Sequence, residues 1–345
     1  MQRILPSVGP SQKERSDLYK VCLANIEDAE EWLPGWFTTL DPMKKHPDFE
    51  EIGRDNVAEW LAWAFFSLPL EHVLEDEAST EEMNYMIDHF EDVFHVQFPN
   101  GYNEDVISYR INLDPVHAHH RPLAFYMMIM WVTHMFNFCC QFMWGMTKYG
   151  PENRSMVWNL ITEPQDDENT VEKVSYWFRD GNRDKKPVVF IHGIGAGLVC
   201  YITFIANLLS NIDAPIFFVE LPHVGMQCIE FVPTMAETVR DLKHMLHRHQ
   251  FEDAVFVAHS LGTAVASWVI KYMQKQVAGV VLMPAQTKVF LSEKDNIIDS
   301  VRVDTYLNHH GVDAVVMKGL DHASYLFYPS WQNQIIKTID NYICT

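Results

Sequence analysis

Ser260 stands in the run AHSLG, between the apolar stretch Val255–Ala258 and a segment ending in Trp268, Val269 and Ile270. A buried strand followed by small residues and then a helix lifts the turn serine to the sheet edge, where a carbonyl carbon can reach it. Ala258 and Gly262 supply the small neighbours that such a crowded turn needs, in an A-x-S-x-G variant of the nucleophile pattern. The amide of Leu261 lies at the start of the following helix, which favours a developing negative charge. One residue run therefore offers a nucleophile and half of an oxyanion hole.

The remaining parts of an acyl-transfer site can be sought in the same way. HGIGAG, from His192 to Gly197, directly follows the apolar strand PVVFIH. Glycines at a strand end let backbone amides approach a ligand, so His192, Gly193 and Gly195 would support a loop whose Ile194 amide completes the hole. A serine hydroxyl needs a base, and His322 follows the strand DAVVMK through the turn GLDHAS. His309 and His310 fall in or beside a helix and suit that role less well. The carboxylate that orients the base should end a strand between serine and histidine. TKVFLSEKDNIID offers Glu293, Asp295 and Asp299, of which Asp295 is the best placed.

These residues need a scaffold, and the second half of the chain alternates strand and helix. VSYWFRD, PVVFIH, IFFVEL and Val255–Val257 read as strands, with helices over Tyr201–Leu209 and Met235–His249 between them. That pattern predicts a doubly wound α/β sheet, mostly parallel. GVVLMP and TKVFLS both read as buried parallel strands, yet only Ala285 and Gln286 separate them. Parallel neighbours need a crossover of about a dozen residues, so a lid segment is expected to be missing near 284–287.

The first half reads differently. Helical spacing runs through Ser16–Phe37 and Asn56–Leu68, and Ser79 with Glu82 forms a capping box opening a third helix that ends before Pro99. No strand pattern is seen in the first hundred residues. Between Pro122 and Met146 there is no Asp, Glu, Lys or Arg, a length that would allow a membrane span. His134, Asn137, Gln141 and Gly145 draw a thin polar stripe through it. Burial under other helices is the first expectation, insertion at a membrane surface the second and spanning the third. The boundary is placed so that 1–150 form a helical extension, including this segment, and 151–345 the catalytic domain.

With 345 residues, 48% of them hydrophobic, the chain can bury a large core. Its formal charge of -20 argues against nucleic acid as a partner. The clustered His117, His119 and His120 have no cysteine or spaced carboxylate to complete a ligand set, so neither a metal nor another cofactor is expected. Six scattered cysteines without a CxxC pair, and a start lacking a signal-peptide core, predict an intracellular protein, cytoplasmic or peripheral to a membrane through 122–146. The sequon at Asn153 points weakly the other way.

HGIGAG, AHSLG, SEKD and LDHAS, in that order, make the region from Val171 to Thr345 resemble the α/β-hydrolase superfamily. PVHAHHRPLAFY and ELPHVGMQ are similar to a group of fungal members with a long helical N-terminal extension. The resemblance implies acyl transfer at Ser260, with Asp295 and His322 in the usual supporting roles. Epoxide hydrolases and dehalogenases of the superfamily carry aspartate where this chain has serine. An aromatic- and Met-rich first half suggests a hydrophobic ester, lipid-like or terpenoid, as substrate. Two alternatives share the motifs: a lactone-forming cyclase or acyltransferase that excludes water, and a catalytically silent lipid-binding module.

Overall fold

Four consecutive apolar residues, Val188–Ile191, form strand β5, and all four are buried because both faces of the sheet are covered. Alternation along the strand divides them. Val188 and Phe190 join one hydrophobic core, with Phe218, Val255 and Val257, whereas Val189 and Ile191 join the other, with Phe217, Val219 and Phe256. The first core is closed by Phe204, Ile205 and Leu208 of helix Ile202–Asn211 and by Ile335, Ile336 and Ile339 of helix Pro329–Ile343. The second is closed by helices Met235–Arg248 and Gly262–Tyr272.

The computed structural model describes residues 10–344 apart from 42, 112, 115–120, 151–171, 228–231, 282–287 and 296. The chain forms two compact units, 1–119 and 120–345. In the second, strands β3 (Thr147–Tyr149), β4 (Ser175–Arg179), β5, β6 (Ile216–Glu220), β7 (Ala254–Ala258) and β8 (Val277–Val281) lie in the order β3-β4-β6-β5-β7-β8. β3 and β4 are antiparallel and the strands from β6 onward are parallel. This order, with the central crossover that puts β5 between β6 and β7, is the α/β-hydrolase fold. Strands β9 (Lys288–Ser292) and β10 (Asp313–Met317) pair in parallel as a separate ribbon.

β8 and β9 are therefore not hydrogen-bonded neighbours in one sheet, as the sequence suggested, because β9 takes β10 as its partner. The expected missing lid falls at 282–287, outside the described residues, as do His117, His119, His120 and Asn153.

The first unit is helical, with Gln12–Ala24, Arg54–Leu61 and Glu77–Phe94 around a core that includes Tyr19, Leu33, Phe37, Trp60, Met83 and Ile87. It does contain strands: β1 (Phe37–Thr39) pairs antiparallel with β2 (Val106–Ser108). Three residues each are too short to show a period of two. The third helix starts earlier than the Ser79 box predicts. Asp76 caps it, accepting from the Ser79 amide at 3.0 Å, while Glu82 pairs with Arg15 instead of turning back to the cap.

The apolar segment belongs with the sheet and not with the N-terminal unit. Phe136 and Cys140 pack into the core that holds Trp177 and Phe190, which draws the division to 119–120 instead of 150. Burial is nevertheless the exception along it. Helical from Leu123 to Met143, it has only 11% of its apolar window buried. Its polar residues do not form one stripe: His134 and Gln141 are exposed on the outer side, whereas the Asn137 carbonyl oxygen is buried.

Candidate active site

Strand register decides which loop ends meet. Ile191 of β5 pairs with Ala258 of β7, so the residues following each strand, His192–Gly193 and His259–Ser260, lie side by side. The His259 amide donates to the Ile191 carbonyl at 3.1 Å. In the ribbon, Ser292 pairs with Met317, and the Lys294 amide donates to the Leu320 carbonyl at 2.8 Å. Asp295 and His322, three and five residues beyond the Ser292–Met317 pair, are thereby brought together.

Ser260 has φ of +51°. A non-glycine residue in the left-handed region costs about 1–3 kcal/mol and persists only where the surroundings impose it. Gly262 shows what imposes it: a Cβ there would lie 2.5 Å from the Ile191 carbonyl oxygen, so the helix start is pressed against β5. Gly193 is equally constrained, since a Cβ on it would come within 2.7 Å of the Ser260 Cβ.

The Ser260 hydroxyl lies 3.1 Å from His322 Nε2, and His322 Nδ1 lies 2.7 Å from Asp295 Oδ2. Burial raises the Asp295 pKa, but the His322 hydrogen bond and the amides of Ile297 and Ile298 on Oδ1 outweigh it, and the net shift is downward. Its two rivals are engaged elsewhere. Glu293 accepts from the Gly319 amide at 2.7 Å and pairs with Lys318, and Asp299 caps helix Ser300–His309 by accepting from Val301 and Arg302. His309 ends that helix and His310 caps it.

Each residue expected to support the oxyanion loop has a definite place. His192 Nε2 accepts from the Leu221 amide at 2.9 Å, which leaves its proton on Nδ1, donated to the Gly193 carbonyl at 2.7 Å. Burial depresses its pKa and keeps the ring neutral. The Gly195 amide donates to Val224. Among the described residues, no acceptor is found for the amides of Ile194 and Leu261, the two assigned to the oxyanion. Their side chains are exposed.

Two residues here escaped the sequence reading. Tyr201, which closes the short helix Gly197–Tyr201 after the glycine loop, places its hydroxyl 2.9 Å from the Gly193 amide and 2.8 Å from His259 Nδ1. The His259 ring lies tilted against His322 at 5.3 Å between centroids and meets Tyr325 edge-on at 5.2 Å. Burial, with His322 adding a smaller effect, lowers its pKa to about 4. The immediate proximity of His259 to Ser260 in sequence was a signal available for it. Tyr201 had none, since only the fold brings it to β7. Among the described residues, no group of three or more histidine, cysteine or acidic side chains could hold a metal ion.

No family model and no curated protein sequence matches this chain. Solved structures do. Naproxen esterase from Bacillus subtilis is similar over 60% of this chain and 96% of its own, at 12% identity and a TM-score of 0.43. Carboxylesterase CesB from the same organism is similar over 62% and 98%, at 10% identity and a TM-score of 0.45. An alpha/beta hydrolase, MGS-MChE2, from the sediment metagenome of the Mar Chica lagoon in Morocco covers 48% of this chain with 93% of its own, at 16% identity and a TM-score of 0.38.

Proposed function

We propose that this protein is a serine ester hydrolase acting through an acyl-enzyme on Ser260. The observation that carries the reading is the run of two hydrogen bonds from Ser260 through His322 to Asp295. In this mechanism His322 Nε2 takes the hydroxyl proton as Oγ attacks the ester carbonyl carbon, and the carbonyl π electrons move to oxygen. The amides of Ile194 and Leu261 hold that oxyanion, while Asp295 stabilises the imidazolium. Collapse expels the alcohol, which takes the proton back from His322. Water then repeats the sequence on the acyl-enzyme and releases the acid.

The Asp295 side chain is buried and acceptor-only when ionised, so His322 is held with its proton on Nδ1 and its Nε2 lone pair toward Ser260. Exposed Ile194 and Leu261, which follow Gly193 and Ser260 in sequence, favour an apolar ester substrate.

The test is labelling with a fluorophosphonate probe, followed by turnover of esters of graded acyl length. Labelling that Ser260→Ala abolishes, and release of free acid, are expected. A protein that folds and binds lipid but takes no label would be a silent module. A ring product from a hydroxy-acyl ester would mean that the acyl group goes to an internal hydroxyl instead of water.

A further inference from the structure

Helix Leu123–Phe138 and its continuation Cys139–Met143 lie on the hydrolase unit with one side in and one side out. Phe136 and Cys140 face the core, and Thr133, Phe136 and Asn137 line a small cavity with Ala196–Val199, which spans the end of the glycine loop. The outer side exposes Leu123, Met127, Trp131, Met135, Phe138 and Phe142, spaced four, four, four, three and four residues apart, which is one continuous helical stripe. Trp131 is 63% exposed and Phe142 67%.

We propose that this stripe is a docking surface for a lipid bilayer, on which the protein lies with the helix in the plane of the interface. Several observations select that occupant. An apolar helix of this length is ordinarily a core helix, yet only 11% of its apolar window is buried. Docking patches for proteins carry a polar rim, whereas this face has no Asp, Glu, Lys or Arg from Pro122 to Met146 and only His134 and Gln141 as exposed polar side chains among its apolar ones. Spanning is opposed by the inner side, whose core contacts hold the helix on the sheet. An in-plane position buries the stripe and keeps those contacts. The net charge of -20 selects the lipid as well: insertion of apolar side chains, not attraction to anionic headgroups, would supply the affinity, so a zwitterionic surface fits.

The inference rests on the ester-hydrolase reading only in its consequence, that an apolar ester would pass from the bilayer to Ser260. Docking itself can be measured without turnover. The full chain, mixed with phosphatidylcholine vesicles, should float with them in a density gradient, and Ser260→Ala should float equally. The combined variant W131K, M135K and F138K should lose at least about tenfold in vesicle partitioning, while keeping its melting temperature and its turnover of a water-soluble short ester. Trp131→Ala alone, the milder change, should weaken flotation without altering the circular dichroism spectrum. Wild-type protein that stays at the bottom of the gradient, or a combined variant that floats like wild type, overturns the proposal. So does a wild-type dimer by light scattering that the three lysines convert to a monomer with no change in flotation, because the face then belongs to a second copy. Wild-type protein that floats but turns over no ester would instead count against the hydrolase reading and leave the docking surface standing.

Discussion

The Tyr201 hydroxyl bridges the Gly193 amide and His259 Nδ1, at 2.9 and 2.8 Å, and so ties the glycine loop to the nucleophile turn. Burial pushes the Tyr201 pKa up to about 12, so the hydroxyl stays protonated. It accepts from the amide and gives its own proton to the neutral His259. Tyr201→Phe leaves both groups buried without a partner, at a cost of about 1–3 kcal/mol in stability. If the bridge sets the loop on which the Ile194 amide lies, kcat should fall about tenfold with KM nearly unchanged, since 1.4 kcal/mol of lost transition-state stabilisation is a factor of ten. Steady-state kinetics and urea melts measure the two effects separately. Lost stability with unaltered kcat would leave Tyr201 a purely structural residue.

Asp295→Asn should keep the fold and lower kcat by about 10⁴, because an amide nitrogen facing Nδ1 selects the imidazole tautomer that has its proton on the wrong side. Glu293→Gln and Asp299→Asn, whose carboxylates serve the Gly319 turn and a helix cap, should change kcat little. Comparison of the three rates decides which acid serves His322. A near-normal Asp295→Asn would exclude it.

Acid should destabilise the protein partly through His259. Unfolded, this ring takes a proton below about 6.5, whereas folded it does so only near 4. Its contribution is therefore present above 6.5, declines as pH falls from 6.5 to 4, and amounts to about 3 kcal/mol. The buried His192 and His249 and the partly buried His223 are shifted in the same direction and add to the slope. In His259→Gln, denaturant midpoints between pH 4 and 6.5 should fall less steeply than in wild type. An unchanged slope would show that His259 is already protonated in the folded state at higher pH.

Gly193→Ala places a methyl group 2.7 Å from the Ser260 Cβ and 2.9 Å from the His259 carbonyl oxygen. Relief requires the loop or the turn to move, at a cost of about 1–3 kcal/mol. The expected result is a lower melting temperature together with slower fluorophosphonate labelling. Labelling at the wild-type rate would mean that the gap between loop and turn is not needed for attack.

Local patterns carried a large part of this architecture. Strands buried on both faces announce themselves as apolar runs, as Val188–Ile191 and Val255–Ala258 do, and the residues at their ends could be named from them. Ser260, Asp295 and His322 were accessible by that route because each follows a strand. Asp295 could be preferred over Glu293 and Asp299 only by position. What separates them is the orientation of each carboxylate, which depends on the turn at Gly319 and the start of helix Ser300–His309. The Tyr201 bridge depends on the β5–β7 register and has no local pattern at all. For the apolar segment, burial was the first of three expectations, yet only 11% of its window is buried, because composition does not tell which side of a helix the sheet covers.

Strand β3 leaves that segment almost at once and lies at the edge of the sheet, paired with β4. Its Lys148 reaches Glu220 at 2.7 Å, and the same carboxylate accepts from Ser175 Oγ and Trp177 Nε1 at 2.8 and 3.0 Å. The edge strand is thus fastened to β6 by one ion pair on a carboxylate that β4 already holds with two donors, so loss of Lys148 would free β3 from β6 while leaving β4 tied to it.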